Sequence, residues 1–169
     1  MKNFVKEGQK LPLFGIGPYL VAGIAAVTVA AVVLFSYVWK IGTVYAPWSV
    51  ILRIAGAVLI VLGLAIWFIG AARSDMDANI AENRLKTDGI YAWVRNPMYS
   101  GWWLVITGIG LLWANVGVLL TIPVNWLILT ITLKHTEEKW LTGLYGAEYT
   151  AYQKRVNRCV PWFPKKEGR

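Results

Sequence analysis

Three long uncharged stretches constrain this chain more than any other feature of its sequence. No Asp, Glu, Lys or Arg occurs in residues 11–39, 54–72 or 96–133. Because roughly 20 apolar residues of α-helix cross the hydrocarbon core of a bilayer, each stretch is long enough for one span and the third for two. The sequence therefore predicts an all-α, polytopic membrane helix bundle with about four transmembrane helices.

The 169 residues have room for a single membrane domain, which we divide into two parts. Residues 1–72 are predicted to hold two N-terminal spans, at about 13–37 and 54–72. Residues 73–169 form the second part, which holds the helical hairpin, the tail and the candidate site residues. In the second span, glycines recur every seven residues and so lie close to one face, which predicts a packing groove against a neighbouring helix; these are Gly56, Gly63 and Gly70.

The third uncharged stretch is predicted to fold as a helical hairpin. The sequence Ala-Asn-Val-Gly at 114–117 is a turn signal. It separates a helix at about 97–113 from a second at 116–133, which Pro123 should kink. The tail that follows has an apolar and aromatic helical face, and Gly143 and Gly146 should weaken its helix or break it in two.

The distribution of basic residues predicts the orientation in the membrane. Three Lys or Arg residues precede the first span, four lie in residues 73–95 and eight follow from Lys134 onward. Only Lys40 and Arg53 fall on the opposite side. Because cytoplasmic segments carry the excess of basic residues, both termini should be cytoplasmic. The tail helix should lie along the membrane interface on the same side. We expect an integral protein of a bacterial or archaeal inner membrane.

Composition also excludes several classes of protein. The net charge of +8 belongs to the cytoplasmic edges of the spans, so we expect no nucleic-acid partner. The single cysteine, Cys159, excludes an internal disulfide and a cysteine-rich metal site, and the single histidine, His135, excludes a bis-histidine haem. We expect no metal. The spans carry no charged residue at mid-depth, which counts against an ion-coupled transporter.

Residues 87–101 combine turn residues, aromatics and a cation at the mouth of an apolar segment. Asp88-Gly89 predicts a turn, and Asn96 is a good N-cap for a helix that begins at Pro97. Arg95 then lies beside a helix N-terminus, which itself favours anions. Three aromatic residues flank Arg95: Tyr91, Trp93 and Tyr99. The segment is either a receptor for a carboxylate on an apolar ligand or an ordinary interfacial loop with a snorkelling arginine.

Glu137 and Glu138 form a second polar cluster, which we expect at the same edge. Adjacent helical side chains point about 100° apart, so the two carboxylates cannot face one ligand equally and are not a paired-carboxylate hydrolase site. One could hold a ribose diol or an ammonium group, while the other reaches solvent, Lys134 or Arg155. Alternatively, the pair simply provides favourable acids at a helix start.

These motifs together resemble a known family. Gly-Ile-Tyr-Ala-Trp-Val-Arg-Asn-Pro-Met-Tyr-Ser-Gly at 89–101 is similar to the signature of the isoprenylcysteine carboxyl methyltransferases and their bacterial and archaeal relatives, including phospholipid methyltransferases. The tail continues the resemblance with Glu-Glu-Lys-Trp-Leu at 137–141, Gly146 to Tyr149, Tyr152, Arg-Val-Asn-Arg at 155–158 and Pro161. The resemblance covers about residues 87–163 and departs from the family at Asn96, where the usual residue is His.

The resemblance implies an integral-membrane enzyme that uses S-adenosylmethionine and takes a lipophilic or lipidated acceptor from the bilayer. By position, Arg95 and Glu137 are the candidate catalytic residues, with Arg95 orienting a carboxylate such as that of an isoprenylcysteine. Arg95, Trp93 and Trp102 are the candidate acceptor-binding residues. The candidate cofactor-binding residues are Tyr91, Asn96, Pro97, Tyr99, Glu137, Glu138, Tyr149 and Tyr152. The alternatives are a membrane NADPH-dependent reductase of the sterol type and a non-catalytic bundle that binds lipid or a partner.

Overall fold

The regular structure of the described residues is helical throughout. The computed structural model describes residues 16–72 and 85–164, so the predicted start of the first span at residue 13 lies outside it. We number the α-helices in chain order: α1 (Gly17–Val32), α2 (Trp48–Ala72), α3 (Pro97–Leu111), α4 (Val116–Leu119), α5 (Thr121–His135), α6 (Glu137–Tyr145) and α7 (Ala147–Arg155). A π-helical segment, Val33–Val38, extends α1, and a 3-10 turn, Gly89–Ala92, precedes α3. The predicted all-α membrane bundle is confirmed.

Three helical segments are long and apolar enough to cross a bilayer, within the part of the chain that the structure describes. They are Gly17–Val38, Trp48–Ala72 and Val116–Tyr145. The second of these helices, α2, begins at Trp48 and not at the predicted residue 54, and it includes the exposed Arg53. The remaining predicted span is α3, the first helix of the hairpin. It has 15 residues and is only about 22 Å long, which is shorter than the hydrocarbon core.

α2 and α3 pack against each other along a seam of small residues. Ideal Cβ atoms built on Gly56 and Gly63 would each lie 2.6 Å from a carbonyl oxygen, of Gly108 and Gly101 respectively. The helices are therefore antiparallel and touch backbone to backbone. The predicted packing groove is confirmed, and the glycines of α2 are, with Ser49, its buried residues.

The link between α1 and α2 meets the hairpin turn at one end of the bundle, which we call the far end. Val44 N donates to Ala114 O, and Val116 N donates to Gly42 O, both at 2.8 Å. Asn115 Nδ2 donates to Ile41 O at 2.9 Å. The predicted turn at 114–117 is thereby confirmed, and the α1–α2 link covers the end of the short α3.

The second arm of the hairpin is interrupted at Leu120, three residues before Pro123. Proline lacks the N–H that would bond to the carbonyl four residues earlier, and its ring crowds that carbonyl. The predicted disturbance near Pro123 thus takes the form of a break between α4 and α5. In the tail, the break predicted at Gly146 separates α6 from α7, and its φ of +55° is readily adopted only by glycine.

The core joins α1, α3, α5 and the end of the tail. It lies towards the end of the bundle opposite the hairpin turn, which we call the site end, where α2 ends and α3 begins. Its buried members are Leu20, Ile24, Ile106, Leu129, Leu133 and Cys159. Because Cys159 comes after α7, the tail is held against the bundle at the site end.

Candidate active site

Backbone hydrogen bonds attach the tail to the loop before α3. Arg95 N donates to Asn157 O at 2.9 Å, and Asn96 N donates to Arg158 O at 3.1 Å. The side chain of Cys159 is 1% exposed, and burial raises the pKa of its thiol to about 12. The two sequence motifs, about 60 residues apart, are therefore brought together as predicted.

Asn96 is the N-cap residue of α3, as predicted, but its side chain does not cap the helix. Its Nδ2 instead donates to Arg158 O at 3.1 Å. The carbonyl of Arg158 thus accepts from both the backbone and the side chain of Asn96. The Asn96 side chain therefore holds the tail against the loop and does not cap the helix.

Glu138 is the electrostatic centre of the site. Its side chain is 4% exposed, and Arg95 Nη2 lies 2.9 Å from its Oε1. Arg158 binds both oxygens, with Nε at 2.6 Å from Oε1 and Nη2 at 2.8 Å from Oε2. Fork-like pairing of this kind is strong and fixes geometry. Glu138 therefore pairs with Arg95 and with Arg158, a partner that the sequence did not suggest.

Arg95 retains unused hydrogen-bonding capacity. Its side chain is 6% exposed, yet its Nε and Nη1 have no hydrogen-bond partner among the described residues. Buried N–H groups are normally paired. Arg95 is also one of the residues that line a polar cavity of about 290 Å³; the others are Lys134, Glu138, Lys139, Thr142, Gln153 and Arg158. The lining carries four cations and one acid, so it favours an anionic group.

Glu137 faces a different partner from its neighbour. The hydroxyl of Tyr99 donates a short hydrogen bond to Glu137 Oε1. Both side chains are half-buried, and they join the start of α6 to the first turn of α3. The two carboxylates therefore diverge, as the helical geometry predicted.

Two tyrosines of the tail lie next to the loop that carries Arg95. The Tyr152 hydroxyl donates to Tyr91 O at 2.6 Å, and Tyr149 and Tyr152 form a buried cluster with Val156. Burial, with the nearby Glu138 carboxylate, raises the pKa of Tyr149 to about 12. These side chains, predicted as cofactor-binding, are packed among protein groups and hold the loop in place.

Three other predicted site residues contact protein groups around the edge of the site. Pro97 is fully buried and packs on Gly70, whose ideal Cβ would lie 3.1 Å from the proline ring. Trp102 packs edge-on against Trp67 of α2, with ring centroids 6.0 Å apart. Trp93 stacks at 4.8 Å on Phe163 and remains 43% exposed.

Sequence reasoning missed Arg158 as a site residue, although it noted the residue in the tail motif. Gln153 also went unassigned, and its Nε2 lies 3.4 Å from Glu138 Oε2. The sequence held part of the information needed to find Arg158, because an acid that is buried between the two motifs requires a cationic partner. Which cation approaches depends on the path of the chain after α7, which sequence spacing does not fix.

The fold and the site define a class: a helical membrane bundle whose hairpin and tail meet at an arginine–glutamate centre at one end. A family model described as phospholipid methyltransferase matches residues 46–148. The chain belongs to this phospholipid methyltransferase family.

Individual relatives match about half of the chain. A protein-S-isoprenylcysteine O-methyltransferase of Schizosaccharomyces pombe is 37% identical over 84 residues, which are 49% of this chain and 35% of that protein. A methanethiol S-methyltransferase of Crocosphaera subtropica is 30% identical over 83 residues, 49% of this chain and 31% of that protein. The matched part of the chain thus spans about a third of the length of these relatives. No solved structure matches significantly.

Proposed function

We propose that this protein transfers a methyl group from S-adenosylmethionine to a lipophilic acceptor that bears a carboxylate. The observation that carries the proposal is the state of Arg95. One nitrogen is fixed by Glu138 at 2.9 Å, while two other buried nitrogens have no partner among the described residues. A rigid, buried guanidinium with free N–H groups is suited to receive a carboxylate.

The residues present fit the cofactor. S-adenosylmethionine carries an amino-acid end, a ribose and a sulfonium, and the site offers cations, two acids and aromatic faces. The other cations of the cavity lining, Lys134, Lys139 and Arg158, suit the carboxylate of the amino-acid end. Glu137, held by Tyr99, is the residue that we assign to a ribose or ammonium group of the cofactor. Asn96, Glu138 and the tail tyrosines support these groups.

The chemistry asks the protein mainly for placement. When bound, the cofactor supplies an electrophilic methyl group on a sulfonium that leaves as a neutral thioether. An acceptor carboxylate attacks with an oxygen lone pair and becomes a methyl ester, so no proton is moved. Arg95 holds this carboxylate in line, and fixing reactants in one geometry lowers the barrier substantially. Asn96 in place of the family histidine is consistent with this reaction, because an amide cannot act as a base near neutral pH.

The relatives are named for different acceptors, and the site favours a carboxylate. The named relatives are an isoprenylcysteine O-methyltransferase and a methanethiol S-methyltransferase. A carboxylate uses the free donors of Arg95, whereas a neutral thiol leaves them unpaired. An amine would meet a cavity whose lining has an excess of cations. Since these relatives are methyltransferases, we do not propose the reductase.

We also propose how the acceptor and the membrane are arranged. The acceptor tail lies in the bilayer and passes the exposed Trp93, while Trp102 is assigned to the contact with α2. The site end faces the cytoplasm, where the basic residues predict both termini.

The test is methyl transfer by the detergent-purified full chain. We would measure incorporation of radioactive methyl from S-adenosylmethionine into N-acetyl-S-farnesylcysteine, and into the same compound with its carboxylate converted to a carboxamide. The proposal predicts methylation of the acid alone, and its loss in Arg95→Ala. Methylation of phosphatidylethanolamine vesicles in place of the acid would contradict the carboxylate assignment.

A further inference from the structure

Helix α1 lies outside the region that the family model matches, which begins at residue 46. Nevertheless, its first turn reaches the site. Leu20 and Ile24 belong to the core against which Tyr99 and Trp103 pack. α1 therefore forms a wall next to the residues that we assign to the cofactor.

The closest approach is at Gly17, the first residue of α1. An ideal Cβ built on Gly17 would lie 3.2 Å from the Tyr99 hydroxyl oxygen and 3.7 Å from its Cε1. That spacing is tighter than an ordinary van der Waals contact, so a methyl group here would require the Tyr99 hydroxyl to shift by a few tenths of an ångström. The hydroxyl concerned is the one that donates to Glu137.

We propose that Gly17 is a positioning residue for the Tyr99–Glu137 pair. Its missing side chain leaves the space in which the Tyr99 hydroxyl reaches the carboxylate, and so fixes Glu137 for the cofactor. The inference rests on the proposed function. It assigns to the N-terminal helix, which the family match does not include, a direct influence on cofactor binding.

The chain provides a matched control on the same helix. Gly23 is exposed, and an ideal Cβ on it would meet nothing within 4 Å. Gly17→Ala and Gly23→Ala therefore make the same chemical change on one helix, but only the first places an atom against Tyr99.

The experiment measures the affinity for S-adenosylhomocysteine, and kcat and KM for S-adenosylmethionine, in the full chain in detergent. We expect Gly17→Ala to weaken cofactor affinity about fivefold, with KM for the acceptor unchanged, and Gly23→Ala to have no effect. In a Tyr99→Phe background, which lacks the hydroxyl, Gly17→Ala should add nothing. Independent, additive losses from Gly17→Ala and Tyr99→Phe would overturn the proposal.

A second readout separates failure of this inference from failure of the proposed function. In protein labelled with ¹³C at tyrosine Cζ, the Tyr99 resonance, assigned with Tyr99→Phe, reports its hydrogen bond directly. We expect Gly17→Ala to shift this resonance and Gly23→Ala to leave it in place. Wild-type protein that binds no S-adenosylhomocysteine would refute the function, whereas an unmoved Tyr99 resonance in Gly17→Ala would refute the role of Gly17.

Discussion

At the scale of single residues, the geometry of Arg95 is more informative than its charge. Its planar fork binds Glu138 with one nitrogen and leaves Nε and Nη1 free of partners among the described residues. Lysine would keep the charge but has no fork. The shape of the guanidinium should therefore matter for turnover.

Arg95→Lys tests this expectation. We predict that kcat falls about 100-fold, because the acceptor loses its alignment, while the affinity for S-adenosylhomocysteine falls much less. Steady-state kinetics and calorimetry check the two quantities. Arg53→Lys, at an exposed position of α2, should change neither. Equal losses of turnover and cofactor affinity would rule out the carboxylate-orienting role.

Glu138 is a residue whose removal should damage the structure as well as the site. Glu138→Gln leaves Arg95 and Arg158 without their shared counter-ion, and breaking a buried pair in this way costs about 3 kcal/mol of unfolding free energy. Thermal unfolding followed by tryptophan fluorescence measures the loss. Glu148→Gln, on the exposed side of α7, is the control, and similar melting temperatures for the two variants would show that the pair contributes little.

At the scale of helices, small residues decide which elements pack together. Gly56 and Gly63 of α2 meet Gly108 and Gly101 of α3 so closely that no side chain fits between the backbones. This seam places the start of α3, and with it Arg95, level with the end of α2. The position of the site thus depends on a contact in which glycines allow the two backbones to approach closely.

Gly63→Ala is expected to disturb that contact. The added Cβ would lie 2.6 Å from Gly101 O, so the two helices must separate, at a cost of about 2 kcal/mol typical of overpacking. Gly23→Ala should be neutral or slightly stabilising, since alanine favours helix. Chemical or thermal denaturation in detergent compares the two, and an unchanged stability of Gly63→Ala would mean that the seam is not tightly packed.

Much of this element-level structure follows from local patterns in the sequence. The uncharged stretches predict the spans, the heptad glycines predict the seam, and Gly146 predicts the break in the tail. The start of α3 at Pro97 was predicted, but its end at Leu111 was placed two residues too late, because the link between α1 and α2 folds over this end through long-range hydrogen bonds. The convergence of the two site motifs was predicted, but the Glu138–Arg158 pair was not, since it depends on how the chain returns after α7.

At the scale of the whole molecule, the far end and the site end should lie on opposite sides of the membrane. The far end joins the α1–α2 link to the hairpin turn, and the site end carries the tail. The distribution of basic residues predicts that the site end faces the cytoplasm.

Accessibility to a membrane-impermeant maleimide tests the orientation. Cys159 is 1% exposed, and burial raises the pKa of its thiol to about 12. Because the thiol is both inaccessible and protonated, we expect the maleimide not to label it. We expect Tyr45→Cys, an exposed position on the link, to be labelled in intact cells. Lys154→Cys, exposed on α7, should be labelled only after permeabilisation, and the reverse pattern would invert the topology.

The most direct measurement of all is calorimetric titration of the detergent-purified chain with S-adenosylhomocysteine and, separately, with NADPH. A membrane methyltransferase with Glu137 in its cofactor site should bind S-adenosylhomocysteine saturably, bind it more weakly as Glu137→Ala, and not bind NADPH. Binding of NADPH alone, or of neither ligand by folded protein, would contradict the proposed function.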